Sequence, residues 1–136
     1  MSSTTRSDGA EVDAPALDRC LTRMVDPARV AAVRHALPDE GIVEELAATF
    51  RVLSEPARVR IVSALLEAGE LCVCDLAASV GLSETATSQH LRVLRGHHAV
   101  RNRRDGRVVY YSLLDAHVRA LMNVAREHAA HAPQTR

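Results

Sequence analysis

A mainly α-helical fold with one small β-hairpin is what this sequence predicts, on three observations. Of 136 residues 47% are hydrophobic, enough for the core of one modest domain. Aromatic residues make up only 2% and Trp is absent, so the core must be built from Leu, Val, Ile and Ala, the material of helix packing. Apolar residues recur at helical spacing along the chain, and a single Asp-Gly turn separates two β-prone stretches.

Residues 1–15 are rich in Ser, Thr, Asp, Gly and Pro and show no periodicity, which predicts a disordered tail. An arm over 16–38 carries Cys20 and a helix to about Ala36, opened by Asp26 as N-cap and Pro27 at the first position. One domain is expected over 39–131, followed by a frayed tail over 132–136. Its first helix, over 39–53, repeats Ile42, Leu46, Phe50 and Leu53. After Ser54-Glu55-Pro56 a second helix turns Val59, Val62, Leu65 and Leu66 inward and stops at Gly69. A short helix over 74–80, a tight turn at Gly81-Leu82 and a helix over 84–95 with Ser83 as N-cap come next. That last helix presents Ala86, Leu91 and Leu94 inward and Thr85, Ser88, Gln89 and Arg92 outward. A short helix, a glycine turn and a helix with a small polar outer face make the pattern of a helix-turn-helix. Two strands, over 99–103 and 107–113, form a hairpin around Asp105-Gly106, the wing of such a unit. The final helix, over 115–131, carries Val118, Leu121, Met122 and Ala125 on one stripe.

Net charge is zero, which argues against a general nucleic-acid coat, but the charge is uneven. Between 92 and 107 six arginines (92, 95, 101, 103, 104, 107) stand against one acid, Asp105. An exposed hairpin is often simply solvated. After a helix-turn-helix, Arg101, Arg103, Arg104 and Arg107 read more economically as contacts to phosphate and minor groove. With Ser83, Thr85, Thr87, Ser88, Gln89 and Arg92 they form the set expected to touch DNA. His90, His97 and His98 read as structural or phosphate-facing.

Three cysteines cannot pair off, and the polar, acidic first residues hold no signal peptide, so reduced thiols in the cytoplasm are expected. No apolar segment approaches the roughly 20 residues that span a bilayer. Cys72 and Cys74, one residue apart, would diverge by about 200° in a regular helix. They can chelate only where a helix starts and the first cysteine is still extended, and Cys20 is the one further thiol available. Three sulfurs would select thiophilic ions; small buried core residues are the plainer reading of such cysteines. On the last helix His117 and His128 share a face yet stand about 16 Å apart along the axis, too far for one ion. Two such helices packed antiparallel across a two-fold axis would bring Asp115 and His117 of one beside His128 and His131 of the other, a tetrahedral set suited to Zn(II). Solvated histidines favoured by the helix dipole are the alternative.

The segments 70–76, 83–94 and 105–111, with Asp115, His117, His128 and His131, together resemble the ArsR/SmtB family of dimeric, winged-helix, metal-sensing repressors over about 39–131. The resemblance implies a thiolate site from Cys20, Cys72 and Cys74, and a second site of Asp115, His117, His128 and His131 between paired C-terminal helices. It implies a homodimer joined through its terminal helices that binds operator double-stranded DNA when metal-free. Release by Cd(II), Pb(II) or Zn(II) would then control efflux or detoxification genes, since the chain is most similar to that branch. Two positions depart from relatives within the family: Met24 replaces a second N-terminal cysteine, and Ala77 replaces a third cysteine used by arsenite sensors. An arsenite-responsive or thiol redox-responsive repressor of the same fold is the alternative. Without Cys-x-x-Cys, His-Glu-x-x-His or a glycine-rich phosphate loop, an enzyme is not expected.

Overall fold

The computed structural model describes residues 19–131, so the expected tails over 1–15 and 132–136 lie outside the described residues. The chain divides into two compact units, the first ending at Asp39 and the second beginning at Glu40. In the first, helix α1 spans Pro27–Ala36 and buries none of its residues. Its start is as the sequence predicts: Asp26 Oδ1 accepts from Arg29 N at 3.1 Å, and Pro27 fills a position whose missing N–H costs no helical bond.

The second unit runs α2 (Glu40–Val52), α3 (Pro56–Ala68), β1 (Glu70–Cys72), α4 (Val73–Val80), α5 (Glu84–Gly96), β2 (Val100–Asp105), β3 (Val108–Leu113) and α6 (Ala116–Ala130). The strands form one antiparallel sheet in the order β1-β3-β2. Ile61, Val62, Leu65, Leu76, Leu91, Leu94 and Val100 are at most 1% exposed and make the centre of the core. Helix α3 supplies three of them because it packs against α4, α5, β1 and β3 at once. That wide burial explains why Ile61 and Ala57, absent from the predicted inward face, are buried beside Val62 and Leu65. Arg58 ties neighbouring helices: its Nε donates to Val52 O at 2.6 Å, and its Nη1 lies 3.4 Å from Nδ1 of half-buried His90 on α5.

Helix α4 ends at Gly81, whose φ of +74° is the left-handed cap that favours glycine, and Ser83 Oγ then accepts from Ala86 N at 3.0 Å to start α5. The hairpin is tighter than predicted. β2 continues to Asp105, and only Gly106 and Arg107 turn the chain, with Gly106 at φ +64° as a primed two-residue turn requires. Strand β1 is not anticipated by the sequence reading; it pairs Glu70 with Ser112, Leu71 with Tyr111 and Cys72 with Tyr110.

One expectation is revised, and one apolar face is left open. Thr87, grouped above with DNA-touching residues, is 0% exposed and lies in the core, because it continues the Leu91 and Leu94 stripe of α5. The α2 stripe expected from helical spacing stays open among the described residues: Ile42, Leu46 and Phe50 are 49%, 51% and 58% exposed. Contiguous apolar surface of this kind marks an interface.

Candidate nucleic-acid interface and metal half-sites

The outer face of α5 is as the sequence predicts. Thr85, Ser88, Gln89 and Arg92 are exposed and line one shallow depression with Glu84, the first residue of the helix. Ser83 is exposed at its N-terminus, its hydroxyl engaged in the cap. The small side chains leave the helix backbone close to any groove it enters, and Gln89 offers paired donor and acceptor for a base edge.

The four hairpin arginines are all exposed but are not equivalent. Alternation along β2 puts Arg101 and Arg103 on one face of the sheet and Arg104 on the other, with Arg107 in the turn. Arg101 Nε reaches Ser112 Oγ at 3.5 Å, and Arg104 Nη1 reaches Gly106 O at 3.5 Å, both long contacts. Arg103, expected to be a simple phosphate contact, has closer partners. Its Nε and Nη2 donate to Glu70 Oε2 and Oε1 at 2.8 and 2.9 Å, and its guanidinium carbon lies 4.5 Å from the Tyr110 ring centroid. The paired guanidinium holds the Glu70 carboxyl below the ordinary carboxylate range, and Glu70 in turn raises the Arg103 pKa.

Cys72 meets the geometric condition for chelation. It is the last residue of β1 and the N-cap of α4, with φ −74° and ψ 163°, while Cys74 stands in the first turn. Cys72 is half-buried and Cys74 exposed. The charge of Glu84 on α5, then burial and then Cys72 raise the Cys74 thiol pKa, so Cys74 holds its proton until an electrophile or metal displaces it. The first residue of the DNA-facing helix therefore acts electrostatically on Cys74. Cys20 is exposed and belongs to the first unit.

At the start of α6, Asp115 is the N-cap. Its Oδ1 accepts from His117 N at 3.0 Å and Val118 N at 3.3 Å, and its Oδ2 lies 3.5 Å from His117 Nδ1. These backbone donors, Val118 foremost, keep the Asp115 carboxyl ionised below the usual range. At the other end His131 caps the helix, and its Nδ1 lies 2.8 Å from Glu127 O. A carbonyl can only accept, so Nδ1 carries a proton, and Nε2 is the ring nitrogen left to face a metal. Helix α6 buries Met122 and half-buries Val118 and Leu121, and beyond them the helix is exposed. Among the described residues of one chain no three His, Cys, Asp or Glu side chains converge as a metal site. The donors instead form pairs, thiol with thiol and carboxylate with imidazole, whose chemistry fits a thiophilic or borderline ion where further donors are supplied.

No helix among the described residues is long and apolar enough to cross a membrane. Residues 55–97, which run from the start of α3 past the end of α5, match the arsR family of bacterial regulatory proteins. Over 131 residues the chain is 40% identical to a transcriptional repressor SmtB homolog of Synechocystis, covering 96% of each. It is 35% identical over 111 residues to a cadmium resistance transcriptional regulatory protein CadC homolog of Staphylococcus aureus, covering 82% of this chain and 91% of that one. The fold also superposes on a homodimeric winged helix-turn-helix DNA-binding domain from Mycobacterium bovis, with a TM-score of 0.62 and 26% identity over 74% of this chain and 99% of the other.

Proposed function

The chain belongs to the arsR family of bacterial regulatory proteins, and from that premise we propose that it is a metal-responsive transcriptional repressor of the cadmium, zinc and lead branch. It binds operator DNA as a homodimer and is a regulator, not an enzyme. Thr85, Ser88, Gln89 and Arg92 of α5 enter the major groove, while Arg104 and Arg107 neutralise phosphates beside it. Cys72 and Cys74 hold one thiophilic ion, with Cys20 of the same or the partner chain as the further thiol. Asp115 and His117 of one chain with His128 and His131 of its partner hold another, giving two such sites per dimer. Bound there, a metal ion supplies a fixed geometry that ties its ligands together, and Cd(II), Pb(II) and Zn(II) all suit these donors.

The observation that carries the reading is the position of the cysteine pair. It sits at the start of α4, the first helix of the DNA-reading pair, with Cys72 still extended as the N-cap and Cys74 in the first turn. Tying Cys72 and Cys74 to a common ligand constrains the helix that supports α5. A two-fold reader needs its recognition helices about one DNA turn apart, so a constraint that moves them costs affinity. Coupling of this kind is typically worth about 5- to 150-fold in affinity.

The test is a titration of the reduced, full-length protein with Cd(II), Pb(II) and Zn(II) in turn. It would follow ultraviolet thiolate-to-metal absorption together with binding to a duplex that the metal-free protein has selected from a random pool. At least one metal should raise the absorption and release the duplex, and a chelator should restore binding. Tighter duplex binding with every one of the three would overturn the proposed direction of control.

A further inference from the structure

We propose that Arg103 is a positioning residue that couples the strand leading into the cysteine pair to the DNA-facing hairpin. The proposal rests on the reading of Cys72 and Cys74 as an effector site. In the order β1-β3-β2, Glu70, Ser112 and Arg101 stand in one row across the sheet, and Cys72, Tyr110 and Arg103 stand in the next. Opposed residues, and residues two apart on a strand, share a face. All six side chains therefore lie on one face of three strands, and the Arg103 guanidinium reaches diagonally over it to Glu70 while resting on Tyr110.

Two routes then lead from Cys72 to Arg103. One runs back along β1 by two residues to Glu70, and the other crosses to β3 by a single register pair to Tyr110. The contact is directional as well as attractive. Two parallel N–H···O bonds and a stacked ring fix both the position and the tilt of a planar fork, which a point charge at the same place would leave free. Arg103 and Glu70 are both partly exposed, so the pair adds little to stability. Its consequence is positional. Cys72 ends a strand and Cys74 begins a helix, so closing their sulfurs on a common ligand shifts the end of β1, and the row of contacts passes that shift to β2. A phosphate approaching the hairpin also competes with Glu70 for the same guanidinium, so the two sites contend for one side chain.

The experiment uses the full-length homodimer, Cd(II) as the probe and the selected duplex. Its readout is the ratio of duplex affinity without and with Cd(II), in which any change in basal affinity is divided out. Arg103→Lys keeps the charge but loses the fork, and Glu70→Gln removes its anchor. Each should cut the ratio at least threefold while thiolate absorption with Cd(II) keeps its parental intensity. The double variant should cut it no further, as expected for partners in one linkage. Parental ratios in both single variants with absorption intact would overturn the coupling alone, as would effects that add in the double variant. Absence of thiolate absorption in the parent chain would overturn the effector site and the coupling with it.

Discussion

Thr87 shows how one residue type can mislead about a surface. On α5 it stands four residues before Leu91 and seven before Leu94, the spacing of one buried stripe, and it is fully buried with a hydroxyl that has no hydrogen-bond partner among the described residues. Its position was legible in the sequence, but its polarity suggested the opposite face. A buried, unsatisfied hydroxyl is a cost that an isosteric methyl group removes. Thr87→Val should therefore stabilise the protein by about 1 kcal/mol, since the two residues have similar helix propensity. Denaturant unfolding would read this, and duplex affinity should stay at the parental level. A large loss of affinity in a folded Thr87→Val protein would return Thr87 to the DNA-facing set. The Arg103–Glu70 pair was not legible for another reason: the two residues lie 33 positions apart, and pairing over that distance exists only once β1 has joined the sheet.

Among the elements, helices were legible wherever a cap and a period agreed. Asp26 with Pro27, Ser83, and Gly81 each set a boundary through a local hydrogen bond or backbone conformation that the residue type alone implies. β1 was not legible because three residues cannot display an alternation; it is a strand only because β3 lies beside it. Its presence changes the hairpin from a free wing into the outer part of a three-stranded sheet, and it divides the arginines by face. On that division Arg104→Gln and Arg107→Gln should each lower the slope of log affinity against log salt by about 0.9, the effect of one lost phosphate contact. Selected and random duplexes should weaken alike. Slopes unchanged in both variants would remove the hairpin from the DNA interface.

The second unit as a whole leaves an apolar stripe on α2 exposed and the chemistry of α6 divided between its two ends. The sequence revealed the stripe but not which surface would cover it, because periodicity says that a face is apolar without saying whether its partner lies in the same chain. A homodimer supplies a second copy for such a face. The proposed pairing of Asp115 and His117 with His128 and His131 across chains has a sharp consequence. Homodimers of His117→Ala and of His128→Ala should each lose both α6 sites, whereas a mixed dimer of the two variants should regain one. Metal stoichiometry, measured with the cysteines replaced by serine, would show the difference. A mixed dimer with no recovered site would exclude the inter-chain arrangement.

On the proposed inter-chain pairing, the two donor pairs of α6 lie at opposite ends of a 15-residue helix, and completing a site requires two molecules to meet. Metal loading and self-association are then reciprocal, each strengthened by the same factor as the other. The protein's apparent sensitivity to metal becomes a function of its own copy number: dilution toward the dimer dissociation constant empties the sites at a metal level that would fill them in a crowded cell. A repressor built this way measures metal against the amount of itself.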